Sequence, residues 1–148
     1  MNGILLANAA STLFMTGLIW FVQVVHYPLF ARVGESGFPE YSRAHQQWTT
    51  LVVGPPMLVE ALTALLLLAV RPPAVPAWAA WLGVSLVGVI WLSTAALQIP
   101  AHARLTGGFD PQAASALVAT NWIRTVAWSA RGVLVLWMIG RTLAPANR

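Results

Sequence analysis

The chain has 148 residues, of which 58% are hydrophobic and only 8% charged, with a mean hydropathy of +0.71. A soluble domain carries about 25% charged residues, so a soluble fold is excluded, and so is disorder, which needs the opposite balance. The 8 basic residues are all Arg, set against 4 acids for a net charge of +4; they are scattered, with no basic stripe, so no nucleic-acid partner is expected.

With 0 Cys, disulfides, thiolate metal sites and iron–sulfur clusters are excluded as well. The composition describes a single transmembrane domain over residues 1–148, with the lipid bilayer as its first partner.

A helix crossing about 30 Å of hydrocarbon needs roughly 20 apolar residues, and four segments qualify. The first runs from Ile4 to Ala31 and carries Asn8, Gln23 and His26. Its start lacks a basic region and the apolar run continues to Leu29, so it reads as a retained helix and not a cleaved signal.

After the turn Gly34 to Phe38, Pro39 suits the first position of a second helix, which runs to Val70. Its early turns are polar, its apolar span starts near Trp48, and Pro55-Pro56 predicts a kink. The Pro-rich link Arg71 to Pro76 ends it. The third span runs from Trp78 to Leu97, leaving through Gln98-Ile99-Pro100-Ala101-His102. Asp110-Pro111 then reads as an N-cap followed by proline at the first helical position, opening a fourth helix to Leu143.

Short links between spans predict an all-α, antiparallel up-down-up-down bundle of four transmembrane helices. Tyr27, Tyr41 and several tryptophans, Trp48 among them, fit an aromatic belt near span ends. No repeat with a convincing period stands out. Arg71, Arg141 and Arg148 fall on one face, and Arg32, Arg43 and Arg104 on the other. The expected setting is a bacterial inner membrane with both termini cytoplasmic.

Alternating helix directions bring His26, His45 and His102 to one face of the membrane. The stripes Gln23/His26, Tyr41/His45/Trp48, Trp91/Thr94/Gln98/His102 and Asn121/Arg124/Trp128/Arg131 each lie on one side of a helix. A polar side of this kind should face the bundle interior, since a charge facing lipid costs at least about 2.5 kcal/mol. Glu60 and Arg131 match in depth on antiparallel helices, so Glu60 is expected to pair with Arg131 in preference to Arg124.

Gln23-Val24-Val25-His26-Tyr27-Pro28-Leu29-Phe30, Gly54-Pro55-Pro56-Met57-Leu58-Val59-Glu60 and Thr120-Asn121-Trp122-Ile123-Arg124-Thr125-Val126-Ala127-Trp128 resemble a family of small bacterial four-span membrane proteins of unassigned function. More distantly, the chain is similar to anthrone-oxygenase-like membrane proteins, which share four spans and a fourth helix bearing Trp and Arg. Where that group tends to show a Pro and Asn pair, this chain has Gln98 to His102.

These residues point to a membrane-embedded redox, metal or cofactor site, that of an oxidoreductase among the options. His26, His45 and His102 are the candidate metal ligands; three imidazoles suit Zn, Cu or Fe, and two on facing helices suit haem. Gln23, Tyr41, Gln98, Asn121, Arg124, Glu60 and Arg131 are the candidate cofactor-binding residues, able to orient ligands or to hold a quinone. Two other classes compete. Glu60 could serve a small proton-coupled transporter, which would act as a homodimer because four short helices enclose little volume. Alternatively, the polar groups only lock an assembly subunit without chemistry, as interhelical hydrogen bonds worth about 0.6 kcal/mol each.

Overall fold

Hydrocarbon offers no partner for a backbone N–H or C=O, so a chain this apolar can satisfy its main chain only within helices. The computed structural model describes residues 3–144, and among these the regular structure is entirely helical. Arg148, which entered the orientation argument, lies outside the described residues.

Four helical spans are long and apolar enough to cross a membrane: Gly3–Arg32, Phe38–Val70, Ala77–Leu105 and Pro111–Leu143. They form the expected antiparallel bundle, so the protein is a multi-pass membrane protein. The second and fourth spans are single helices, α2 (Phe38–Val70) and α5 (Pro111–Leu143). The first comprises α1 (Gly3–Phe21), a π-turn (Val22–His26) and a 3-10 turn (Pro28–Arg32). The third comprises α3 (Ala77–Ser93), a π-turn (Thr94–Gln98) and α4 (Ile99–Leu105).

Each π-turn has a local cause. Pro28 and Pro100 cannot donate to the helical ladder, and each follows a residue whose N–H reaches back five positions, Tyr27 to Val22 and Ile99 to Thr94. Pro55 and Pro56 lie inside the unbroken α2 and withhold the donors that the Leu51 and Val52 carbonyls would otherwise receive.

A repeat that periodicity did not disclose is present in the architecture. Pro28 with Pro100, Arg32 with Arg104 and Pro39 with Pro111 fall at one common separation, and so do the two π-turns. The two halves are helical hairpins of the same plan and the same direction. Sequence reading passed over them because few side chains coincide between the halves.

α1 packs against α2 and α5, and α3 packs against the same two, so α2 and α5 face each other across the diagonal. The core is layered. Leu5, Leu67, Val75, Ala79, Leu134 and Met138 fill the end near the Arg71–Pro76 link. Met15, Ile19, Met57, Ile90, Ala127 and Trp128 fill the middle. Tyr27, Phe30, Phe38, Ala101, Leu105, Ala113 and Leu117 fill the far end. The outer faces carry the chain's exposed Leu, Val and Trp side chains, Leu92 and Val133 among them, as a lipid-facing surface requires.

Candidate functional site

α5 organises both polar centres. Asp110 caps it, its Oδ1 accepting from the N–H groups of Gln112 (2.9 Å) and Ala113 (3.1 Å), while Arg104 pairs with Oδ2 at 2.8 Å. The Ala113 N–H is the largest influence holding this carboxyl below the usual carboxylate range, with Gln112 and Arg104 adding to it. From that start the helix runs unbroken, and Asn121, Arg124, Trp128 and Arg131 all fall on its buried side, as their spacing predicts.

The deeper centre is closed. Arg131 Nε donates to Glu60 Oε1 at 2.7 Å, and Thr12 donates to the same oxygen at 2.7 Å. Trp128 Nε1 donates to Glu60 Oε2 at 2.9 Å. The rest of the guanidinium reaches the Gly83 carbonyl, Asn8 and Thr12. Gly83 lies close against this charge: a Cβ there would sit 3.4 Å from Arg131 Nη1, in van der Waals contact. Glu60 and Arg131 are each 1% exposed. The expected preference for Arg131 over Arg124 holds. Every charged oxygen has a donor, and neither residue lines the larger cavity described next.

The second centre is open. Arg124 donates from Nε (2.9 Å) and Nη2 (2.5 Å) to Asn121 Oδ1, from Nη2 to the Tyr27 hydroxyl (3.1 Å), and from Nη1 to Thr94 at 3.5 Å. All of these partners are neutral. Among the described residues the ion pairs are Arg104–Asp110 and Glu60–Arg131, so Arg124 is a buried cation with no carboxylate of its own. It borders a cavity of about 380 Å³ between α2 and the third span, together with Tyr27, His45, Trp91, Gln98 and His102.

Donor and acceptor roles set the proton arrangement. Arg124 can only donate, so the Tyr27 oxygen accepts from it and passes its own O–H to His102 Nε2, 3.1 Å away. A neutral His102 then carries its proton on Nδ1. That atom is the buried side-chain polar atom left without a partner among the described residues. His102 Nδ1 is enclosed, so Arg124 is the donor group that borders the cavity.

The three histidines converge. His45 lies between the others, with ring centroids 4.7 Å from His26 and 5.1 Å from His102. His26 Nε2 and His45 Nδ1 are 2.8 Å apart and hydrogen-bonded directly, with Thr49 also on His45 Nδ1 at 3.1 Å. That contact leaves no room for a porphyrin between the two rings. Among the described residues no group of three or more His, Asp or Glu side chains is arranged to hold a metal ion.

The remaining candidates divide. Gln98 lines the cavity and is held by Ser93 and Thr120. Gln23 and Asn121 are fully occupied with each other and with Val118, Thr125 and Arg124, so they position the arginine. Tyr41 packs on Phe30 and stacks on His45 without lining the cavity. Trp48 is 63% exposed and faces away from the stripe it was placed on.

Tyr27 is the residue that sequence reading missed. Assigned to the aromatic belt, it is 5% exposed and links Arg124 to His102. Its spacing from Gln23, one wide turn later and directed at the same helix, was the available signal. No family model, curated protein or solved structure matches this chain.

Proposed function

We propose that the protein is a membrane-embedded cofactor-binding protein whose ligand is a lipophilic quinone, with its head group in the cavity beside Arg124. The observation carrying this reading is a buried guanidinium that has only neutral partners and borders a 380 Å³ cavity. A head group with carbonyl oxygens takes up the donor capacity that Arg124 has to spare, and the Trp91 ring offers it an apolar wall. Tyr27, His45 and His102 line that cavity, so groups with exchangeable protons stand next to the head group, the property a redox site in an oxidoreductase needs.

Nothing comparable favours the other readings. Both Glu60 oxygens are already bonded within a sealed core, which suits packing better than proton-coupled transport. An assembly role leaves the cavity beside Arg124 without a purpose. In this reading the protein sits in a bacterial inner membrane with both termini cytoplasmic, and a single copy suffices because the cavity lies within one bundle.

Equilibrium binding of a short-chain quinone to the detergent-purified protein tests the proposal. Saturable binding is expected, weakened 10- to 100-fold in Arg124→Gln, the equivalent of a charge-assisted hydrogen bond worth about 1.5–3 kcal/mol. Absence of saturable binding by the wild type overturns it.

A further inference from the structure

A second cavity of about 220 Å³ lies between α2 and α3, lined by Ala61, Ala64, Leu65, Val84, Val87, Gly88 and Trp91. Every one of these side chains is apolar, and Trp91 also lines the head-group cavity, so the two spaces adjoin at its ring. We propose that this groove binds the chain of the same ligand: a single apolar tail that leaves the head at Arg124, passes Trp91 and lies along Gly88 towards Val84. The inference rests on the head-group reading and adds a tail-binding subsite and a lateral route of entry from the bilayer.

Elsewhere in the bundle the helix seams are tied by polar contacts. Side-chain hydrogen bonds tie α1 to α2 through Asn8 and Thr12 on Glu60, and α1 to α5 through Thr16 on the Trp128 carbonyl. Gln23 on Asn121 and Trp20 on Ser129 extend that seam. Between α2 and α3 the facing residues are small, and a Cβ added at Gly88 would meet nothing within 4 Å. Small residues on facing membrane helices ordinarily draw the backbones together; here they leave a trough.

Leu65 (54% exposed) and Trp91 (40% exposed) form its rim, so it opens sideways to lipid. From Trp91 to Val84 the trough extends about 10 Å at 1.5 Å per residue, enough to hold the head-proximal part of a chain and leave the rest in the bilayer. Charge complementarity selects the occupant: bulk acyl chains can fill the trough, but only a molecule carrying an acceptor-rich head also satisfies Arg124.

The test compares two quinones on the full-length protein in detergent, one with a single prenyl unit and one with four. The wild type is expected to bind the longer compound at least tenfold more tightly. Gly88→Phe, which fills the trough, should abolish that preference and leave the affinity for the short compound unchanged. Ala61→Phe repeats the experiment from α2 should the first variant fail to fold. A photoreactive group placed on the chain should label the peptide containing Gly88 and Trp91 in the wild type. Equal affinities for the two compounds in the wild type overturn the tail subsite. Gly88→Phe weakening both compounds alike, or altering the oligomeric state instead of chain-length preference, overturns it too. Failure of the head-group reading is distinct, because the short compound would then not bind the wild type at all.

Discussion

Arg124 and Arg131 stand about two turns apart on the same face of α5, both buried, and the bundle treats them in opposite ways. Arg131 has its counter-charge inside the chain and is locked to Glu60, Thr12, Asn8 and the Gly83 carbonyl. Arg124 has only amide and hydroxyl oxygens and stands beside open space. A charge in hydrocarbon is costly in either position. Where the chain supplies the partner, the pair joins the core, and where it does not, the charge is left beside open space, as the proposed head-group site requires.

Removing the internal partner should produce the largest effect. Glu60→Gln leaves Arg131 uncompensated and should cost about 3–5 kcal/mol, lowering the thermal unfolding temperature far more than Glu35→Gln, whose side chain is exposed. Equal melting curves for the two variants would refute the contrast. Trp128→Phe tests the same centre more gently. It keeps an aromatic ring but removes the donor to Glu60 Oε2 and leaves space at a fully buried site, so the expected loss is at least the roughly 1.5–3 kcal/mol of the hydrogen bond.

Arg124→Gln should be milder in the same assay. It takes the donor away from Asn121 Oδ1 and the Tyr27 hydroxyl but also relieves an unpaired charge, so the expected loss is about 1–3 kcal/mol. A short-chain quinone should then raise the melting temperature of the wild type and leave that of this variant unmoved. A variant as damaged as Glu60→Gln would erase the distinction between the two arginines.

The smallest effect belongs to the exposed cap of α5. The Asp110 carboxyl is held below its ordinary range, chiefly by the Ala113 N–H, so its contribution to stability is present above the unfolded value of about 3.9. It is lost as pH falls through the lower folded value. Asp110→Asn should therefore melt lower than the wild type at neutral pH and converge with it in acid below that value, as followed by circular dichroism.

How much of this the sequence disclosed depends on helix regularity. The stripe on α5 was legible because the helix is unbroken from its Asp110 cap, so spacing alone turned Asn121, Arg124, Trp128 and Arg131 inward. The depth match of Glu60 with Arg131 followed from antiparallel topology. Around His26 the same arithmetic failed. The π-turn widens the helix there, so Gln23 meets α5, His26 turns to His45 on α2, and Tyr27 takes the inward place expected of His26. Composition marks such a turn only by the proline that follows it. Trp48 was misplaced for a different reason, since a tryptophan is as favourable facing lipid as facing the core near a span end.

The repeated hairpin plan has a consequence for how the chain could be divided. A cut in the Arg71–Pro76 link yields one hairpin bearing Glu60, Tyr27, His26 and His45, and another bearing Arg131, Arg124 and His102. Two copies of the first would bury two acids against each other, and two copies of the second would bury four guanidinium groups with none. Only the mixed pair neutralises its interior and completes the cavity, so the polar residues act as a pairing code between fragments as well as a site. Co-expressed as separate polypeptides, the halves should recombine into heterodimers and leave homodimers unpopulated.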